Sequence, residues 1–78
     1  MFNPQKLDEV FVDIFNVNLE DLKDIEYQSI PQWDSIGHLR LIASLEETFN
    51  IRIRMEDVPL INSYKSCHAY LQSKIIDV

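Results

Sequence analysis

The side chains of this sequence that are best placed for chemistry are the carboxylate of Asp34 and the hydroxyl of Ser35. They lie where an irregular segment containing Pro31 gives way to the longest amphipathic stretch of the chain. Asp34 is a favourable N-cap residue, and we expect its carboxylate to accept from the backbone N–H of Ile36 or Gly37. Ser35 would then stand in the first helical turn, where free N–H groups and the helix dipole favour an anion by about 0.3–1 kcal/mol. The hydroxyl is therefore a candidate carrier of a phosphate ester.

The same pair has a simpler interpretation. Acidic and hydroxyl side chains before an apolar helix are ordinary capping residues, and Gly37 alone is only a weak helix former. From Asp34 and Ser35 alone, capping is the preferred explanation. Gly37 also reduces the steric bulk beside Ser35, which would let a modifying enzyme approach the hydroxyl.

The remaining reactive side chains do not suggest a second site. Cys67 lies on the apolar stripe of the last predicted helix, so we expect a buried thiol. Its neighbour His68 points about 100° away on that helix, so the two do not form a nucleophile–base pair. The two histidines, His38 and His68, are too isolated for a metal site, and we expect His38 at the surface. Trp33 is expected to pack over the loop and the end of the bundle, with stacking on an attached group or on a partner as the alternative.

Size and charge exclude several classes of function. The chain has 78 residues, 46% of them hydrophobic, which predicts a single domain spanning residues 1–78. A domain this small has little room for a catalytic cavity, so we do not expect an enzyme. Its 13 acidic residues outnumber 7 basic ones, for a net charge of −6, which disfavours nucleic acid as a partner. The acidity either steers basic partners or simply keeps the protein soluble.

The cysteine content and the length of the apolar runs indicate where the protein is located. A single cysteine excludes an internal disulfide and fits a cytoplasmic location. No apolar run is long enough to span a membrane, and the first residues lack the apolar core of a signal peptide. We therefore expect a cytoplasmic monomer without a membrane span.

Apolar periodicity predicts an all-α fold. Three main helices are expected over residues 4–16, 35–49 and 64–75, the last capped by Asn62 or Ser63. One or two short helices are expected around residues 19–25, with Asn18 as the cap, and around residues 56–61. The alternating residues 51–55 have no partner strand and are interpreted as an extended linker.

The second helix is expected to bury one stripe and expose the other side. The predicted buried stripe contains Leu39, Ile42, Leu45 and Phe49. Leu41 and Ala43 widen it, so we expect the helix to pack on more than one neighbour. The predicted outward side contains Gly37, Arg40, Ser44 and Glu47.

The order of motifs along the chain resembles a known family. Asp34-Ser35-Ile36 is followed by apolar residues at helical spacing, then by Leu45-Glu46-Glu47-X-Phe49 and Ile51-X-Ile53. This pattern is similar to the acyl carrier protein family, which includes peptidyl carriers and other phosphopantetheine-binding carriers. The similarity covers nearly the whole chain and implies the small helical bundle of that family.

The resemblance also implies a function. Ser35 would carry 4′-phosphopantetheine, transferred from coenzyme A by a phosphopantetheinyl transferase, and Asp34 would assist that modification. The terminal thiol of the arm would hold acyl or aminoacyl intermediates as thioesters. These would come from a loading enzyme and pass to a downstream transferase or synthase. The second helix would be the docking element, which makes the following residues candidate partner contacts: Ile36, Gly37, His38, Arg40, Ala43 and Glu47.

Two departures from the family pattern point to a specialised pathway. Fatty-acid carriers usually have a glycine and a small residue before Asp-Ser, whereas this chain has Gln32 and Trp33. They also tend to have acids where this chain has Arg40, Arg52 and Arg54, and an Arg- or Lys-lined partner would meet like charges there. Bulk fatty-acid synthesis is therefore disfavoured. Gln32, Trp33 and Arg40 also leave an alternative open, a small acidic helical interaction module without a prosthetic group.

Overall fold

The fold is a small bundle of helices. The computed structural model describes residues 2–75. Three α-helices, α1 (Pro4–Phe15), α2 (Ser35–Phe49) and α3 (Tyr64–Lys74), are joined by segments that contain two short 3₁₀ helices. The first short helix is Leu19–Asp24 and the second is Met55–Leu60. The described part of the chain contains no strand, so the predicted all-α class is confirmed.

Local side chains fix the ends of the α-helices. The side chain of Asn3 accepts from the backbone N–H of Gln5, ahead of Pro4 in the first turn of α1. Asn50 ends α2 in the left-handed conformation, with φ 53°, as predicted. Ser63 caps α3 and forms a reciprocal capping box with Ser66, which decides between the two predicted caps.

The two connections are ordered against the core. In the first short helix Leu22 is buried. Asn18 occupies its N-cap position, as predicted, although its side chain makes no capping hydrogen bond. After α2, the backbone N–H of Ile53 donates to Oε2 of Glu46 at 2.8 Å, and Ile53 is buried. Residues 51–54 are therefore an extended linker held to α2, as predicted.

The core is built from one side of each helix and from the loop before α2. Apolar packing of this kind is the main stabilising contribution to a small domain. Its largest fully buried side chains come from α1, α2, α3 and the connecting segments: Trp33, Phe11, Phe15, Leu7, Leu41, Leu45, Ile61, Leu71 and Cys67.

The buried side of α2 differs from the predicted stripe. Leu41, Ile42 and Leu45 are buried, but Leu39 is 66% exposed. Leu39 lies two residues before Leu41, about 200° around the helix, so both cannot face one core. The prediction for Leu39 is wrong because the sequence offers two overlapping apolar stripes, and the one containing Leu41 is buried in the bundle, where α2 packs against α1. Within residues 2–75, no helix combines the length and apolarity needed to cross a membrane.

Candidate functional site

Ser35 is the first residue of α2 and is exposed. The residue before it, Asp34, is extended and accepts from the backbone N–H of Gly37 through Oδ1 at 2.8 Å. The predicted helix start and cap are confirmed, with Gly37 rather than Ile36 as the donor. The serine hydroxyl therefore stands at a capped helix N-terminus and is open to solvent.

A tyrosine from the preceding loop reaches this hydroxyl. Oη of Tyr27 lies 3.3 Å from Oγ of Ser35. Backbone bonds on either side of a single antiparallel bridge hold Tyr27 in place, since its N–H donates to Asn62 and Tyr64 donates to Ile25. The sequence did not reveal this contact, because no helical or strand periodicity relates Tyr27 to Ser35.

The loop that leads to Asp34 is braced by its own backbone. Gln28 adopts a positive φ of 67°, and its N–H donates to the carbonyl of Trp33 at 2.9 Å. The N–H of Trp33 in turn donates to Ile30 at 3.1 Å. The hydroxyl of Ser29 donates to the carbonyl of Glu26 at 2.7 Å. These bonds fix the chain immediately before the serine.

Gln32 ties this loop to α1. Its side-chain Nε2 donates to the carbonyl of Phe15, the last residue of α1, at 3.0 Å. A terminal helix carbonyl lacks an intrahelical donor, so the amide satisfies a group that would otherwise need water. The glutamine that departs from the family pattern thus has a structural function.

Trp33 is fully buried and contacts two other rings in different ways. Its indole face stacks on Phe15, with centroids 5.1 Å apart and planes at 24°. His38 lies at the N–H edge of the indole, nearly in the same plane, with centroids 6.1 Å apart and planes at 23°. Phe11 meets the indole edge-on at 5.5 Å. We call Phe11, Phe15, Trp33 and His38 the Trp33 cluster. The predicted packing function of Trp33 is confirmed.

His38 links the other members of the Trp33 cluster to the second short helix. The indole N–H of Trp33 donates to Nδ1 of His38 at 3.0 Å, so the proton of the neutral imidazole lies on Nε2. Nε2–H then donates to the carbonyl of Val58 at 3.0 Å. His38 is half-buried and both ring nitrogens are used within the protein, so the predicted surface histidine is wrong.

Gly37 is buried, although the sequence placed it on the outward side of the helix as a partner contact. A Cβ at this position would lie 2.1 Å from the carbonyl oxygen of Gln32. The loop therefore approaches α2 so closely that only glycine fits. The prediction of a partner contact at Gly37 is wrong, because the loop covers the position.

The other predicted contact positions on α2 are exposed. They form one continuous surface with Ser35, which we call the α2 face: Ser35, Ile36, Leu39, Arg40, Ala43 and Glu47. Residues three and four apart on a helix are surface neighbours, which makes this set contiguous. It includes Leu39, which the sequence had assigned to the core.

The surroundings of Cys67 and Tyr70 raise the pKa values of both side chains. Burial raises the pKa of the Cys67 thiol to about 12, so the thiol stays protonated and unreactive at neutral pH. Burial and a hydrogen bond to Asp57 raise the pKa of Tyr70 to about 12. Among residues 2–75, no group of three or more His, Cys, Asp or Glu side chains is arranged to hold a metal ion.

Comparisons with known proteins add no relative to this description. A scan against protein-family models found no match, and searches of curated proteins and of solved structures found none either. The functional interpretation therefore depends on the motif of residues 34–53 and on the geometry around Ser35.

Proposed function

We propose that this protein is a carrier that bears 4′-phosphopantetheine on Ser35 and presents acyl or aminoacyl thioesters to partner enzymes. The observation that carries the proposal is the placement of Ser35, an exposed hydroxyl at the capped N-terminus of α2. The arm supplies a terminal thiol that holds the cargo as a thioester. The protein itself positions the arm and catalyses nothing.

The surroundings of Ser35 suit a phosphodiester. The first turn of a 15-residue helix provides free N–H groups and the positive end of its dipole. The hydroxyl of Tyr27, 3.3 Å from the serine oxygen, is a further hydrogen-bond donor. Asp34 directs its Oδ1 to Gly37, which holds the helix start in place while a transferase acts on Ser35.

A groove beside Tyr27 offers space for the arm. It has a volume of about 390 Å³ and is lined by Tyr27, His38, Val58, Pro59 and Asn62. Since Tyr27 contacts Ser35, an arm attached to the serine begins at the edge of this groove. The His38–Val58 hydrogen bond joins two residues that line the groove, which supports a groove already formed before the arm is attached.

The proposal includes a set of partners and a setting. A phosphopantetheinyl transferase modifies Ser35, a loading enzyme forms the thioester, and a downstream transferase or synthase accepts the cargo. Arg40, Arg52 and Arg54 replace acids expected of fatty-acid carriers, which supports a specialised pathway. We place the protein in the cytoplasm as a monomer.

Intact-mass spectrometry tests the proposal. Incubation with coenzyme A and a broad-specificity phosphopantetheinyl transferase should add one phosphopantetheinyl unit to the wild-type protein. Ser35→Ala should gain nothing, whereas Ser73→Ala, which removes an exposed serine of α3, should be modified normally. An unmodified wild type, or a modified Ser35→Ala variant, would reject the proposal.

The alternative of an interaction module without a prosthetic group has lost part of its basis. It drew on Gln32, Trp33 and Arg40, and two of these have internal functions, in bonding Phe15 and filling the core. Gln32 and Arg40 are both exposed, but the side-chain amide of Gln32 is bound to Phe15, which leaves Arg40 as the residue without an internal function. Partner binding that is unchanged in Ser35→Ala, with no modification of the protein in cells, would favour that alternative.

A further inference from the structure

We propose that the α2 face, together with Arg52, docks onto partner enzymes at a partner surface that carries carboxylates around an apolar patch. This inference rests on the proposed carrier function and specifies its partners. It reverses the sign that the overall acidity of the chain suggests, because the charge is unevenly distributed.

The negative charge is concentrated outside the α2 face. Residues 2–34 contain eight acids and only two lysines. Residues 35–55 contain three arginines and only two glutamates, so this segment is net positive in an acidic protein. The exposed charges on the α2 face and at residue 52 are Arg40 and Arg52 against Glu47, so a partner that approaches this surface meets more positive than negative charge.

Internal contacts decide which of these charges are available. Arg54 pairs with Glu56 at 2.6 Å, and Glu46 accepts the backbone N–H of Ile53. In the described residues no ion pair within 4 Å involves Arg40 or Arg52, and both are exposed. These two guanidinium groups are thus available to pair with carboxylates of a partner in bidentate geometry.

Exposed apolar side chains lie next to Arg40. Ile36 is 70% exposed and Leu39 is 66% exposed, one turn apart on α2. The second short helix exposes Met55 and Leu60 and is tied to α2 through the His38–Val58 hydrogen bond. Apolar side chains rimmed by charge are typical of protein interfaces, and their burial would supply most of the affinity.

Charge complementarity indicates which class of partner binds the α2 face. A basic docking surface would place like charges against Arg40 and Arg52. Nucleic acid and anionic lipid carry the right sign, but they are repelled by the net charge of −6 and need more cations than two. An enzyme surface with carboxylates around an apolar patch satisfies both features of the α2 face.

Two designed peptides provide the probes. One is an amphipathic helix of glutamate and leucine, and the other has lysine at every glutamate position. NMR titration of the labelled protein should show that the acidic peptide perturbs the amides of residues 36–43 and 52. Its affinity should fall as salt rises. The lysine peptide should instead perturb the acidic residues of α1 and the first short helix.

Matched charge reversals give the decisive comparison. The double variant Arg40→Glu/Arg52→Glu should bind the acidic peptide about tenfold more weakly than wild type. The control Lys6→Glu/Lys74→Glu changes the net charge by the same amount at exposed positions of α1 and α3, and should change affinity by less than about twofold. Equal losses in the two double variants would contradict the proposal.

Binding of a different kind of partner to the α2 face would overturn the docking proposal. Concentration-dependent sedimentation with shifts confined to the α2 face would identify a second copy of the chain as the occupant. Shifts caused by phosphatidylglycerol vesicles but not by the acidic peptide would identify a lipid surface. Intact mass after treatment with coenzyme A and transferase separates the two proposals. If the Arg variants gain the arm while the peptide result is negative, only the docking inference fails.

Discussion

The Trp33 cluster and the α2 face come from the same short stretch of sequence, yet they have opposite environments. Trp33 is fully buried and His38 half-buried, whereas Ser35 and Ile36 between them are exposed. Helical geometry divides the neighbours of Ser35 in this way, because successive residues turn by about 100°. Residues on one side of the stretch hold the start of α2 in place, and residues on the other side leave Ser35 open to solvent.

This difference predicts that stability and function are separable. Substitutions in the Trp33 cluster or at Gly37 should lower stability, while substitutions on the α2 face should leave the fold intact. Each of the following variants tests whether the two regions are as distinct as their burial indicates.

The largest expected effect is that of Trp33→Ala. Removal of the indole leaves a cavity between Phe15 and His38, which should lower the free energy of unfolding by ~3–5 kcal/mol. Urea denaturation followed by circular dichroism measures it. Trp33→Phe, which keeps an aromatic ring but loses the indole N–H, should be less destabilised. Unchanged stability of the alanine variant would contradict the assignment of Trp33 to the core.

Gly37→Ala should come next. On helix propensity alone the change should stabilise α2 by up to ~1 kcal/mol. The 2.1 Å approach of a Cβ to the Gln32 carbonyl instead predicts a loss of ~1–3 kcal/mol. Thermal unfolding compares it with Ser44→Ala, which adds alanine to the same helix. If Gly37→Ala were as stable as this control, the loop would not need glycine.

His38→Phe should have a smaller effect, since phenylalanine keeps an aromatic ring at the edge of Trp33. It removes the acceptor of the indole N–H and the donor to Val58, at a cost of ~1–2 kcal/mol. Hydrogen exchange of the indole N–H, followed by NMR, should become faster. The control His68→Phe alters a half-buried ring that packs on Phe2 and should leave that exchange unchanged.

The smallest expected effect is that of Ile36→Ser. Since Ile36 is mostly exposed, the stability should change by less than ~0.5 kcal/mol. Ile42→Ser makes the same substitution at a buried position of α2 and should be strongly destabilising. Chemical denaturation of this pair tests the comparison within one helix, and equal losses would show that Ile36 belongs to the core.

Much of the fold was predictable from local sequence signals. Asn3 with Pro4, Asp34 with Ser35, and Asn50 mark helix ends through side-chain and backbone chemistry that acts over a few residues. The placement of Ser35 at a helix start needed no tertiary information. The extended linker also followed from the sequence, because its alternating residues lack a second strand to pair with.

The errors arose where long-range packing decides the outcome. Leu39 and Leu41 were both core candidates, and in the packed bundle, where α2 lies against α1, only Leu41 is buried. Gly37 and His38 were expected to face outward because nothing in the sequence shows that the loop folds back over the start of α2. The Tyr27–Ser35 contact depends on the bridge between Glu26 and Ser63, which are 37 positions apart.

The central claim is that Ser35, and no other residue of the protein, is covalently modified. Peptide mapping of the protein purified from its own cells tests this most directly. Tandem mass spectrometry should show phosphopantetheine on the peptide containing Ser35 and on no other. A Ser35 peptide found only in unmodified form, or the group on a different residue, would contradict the account.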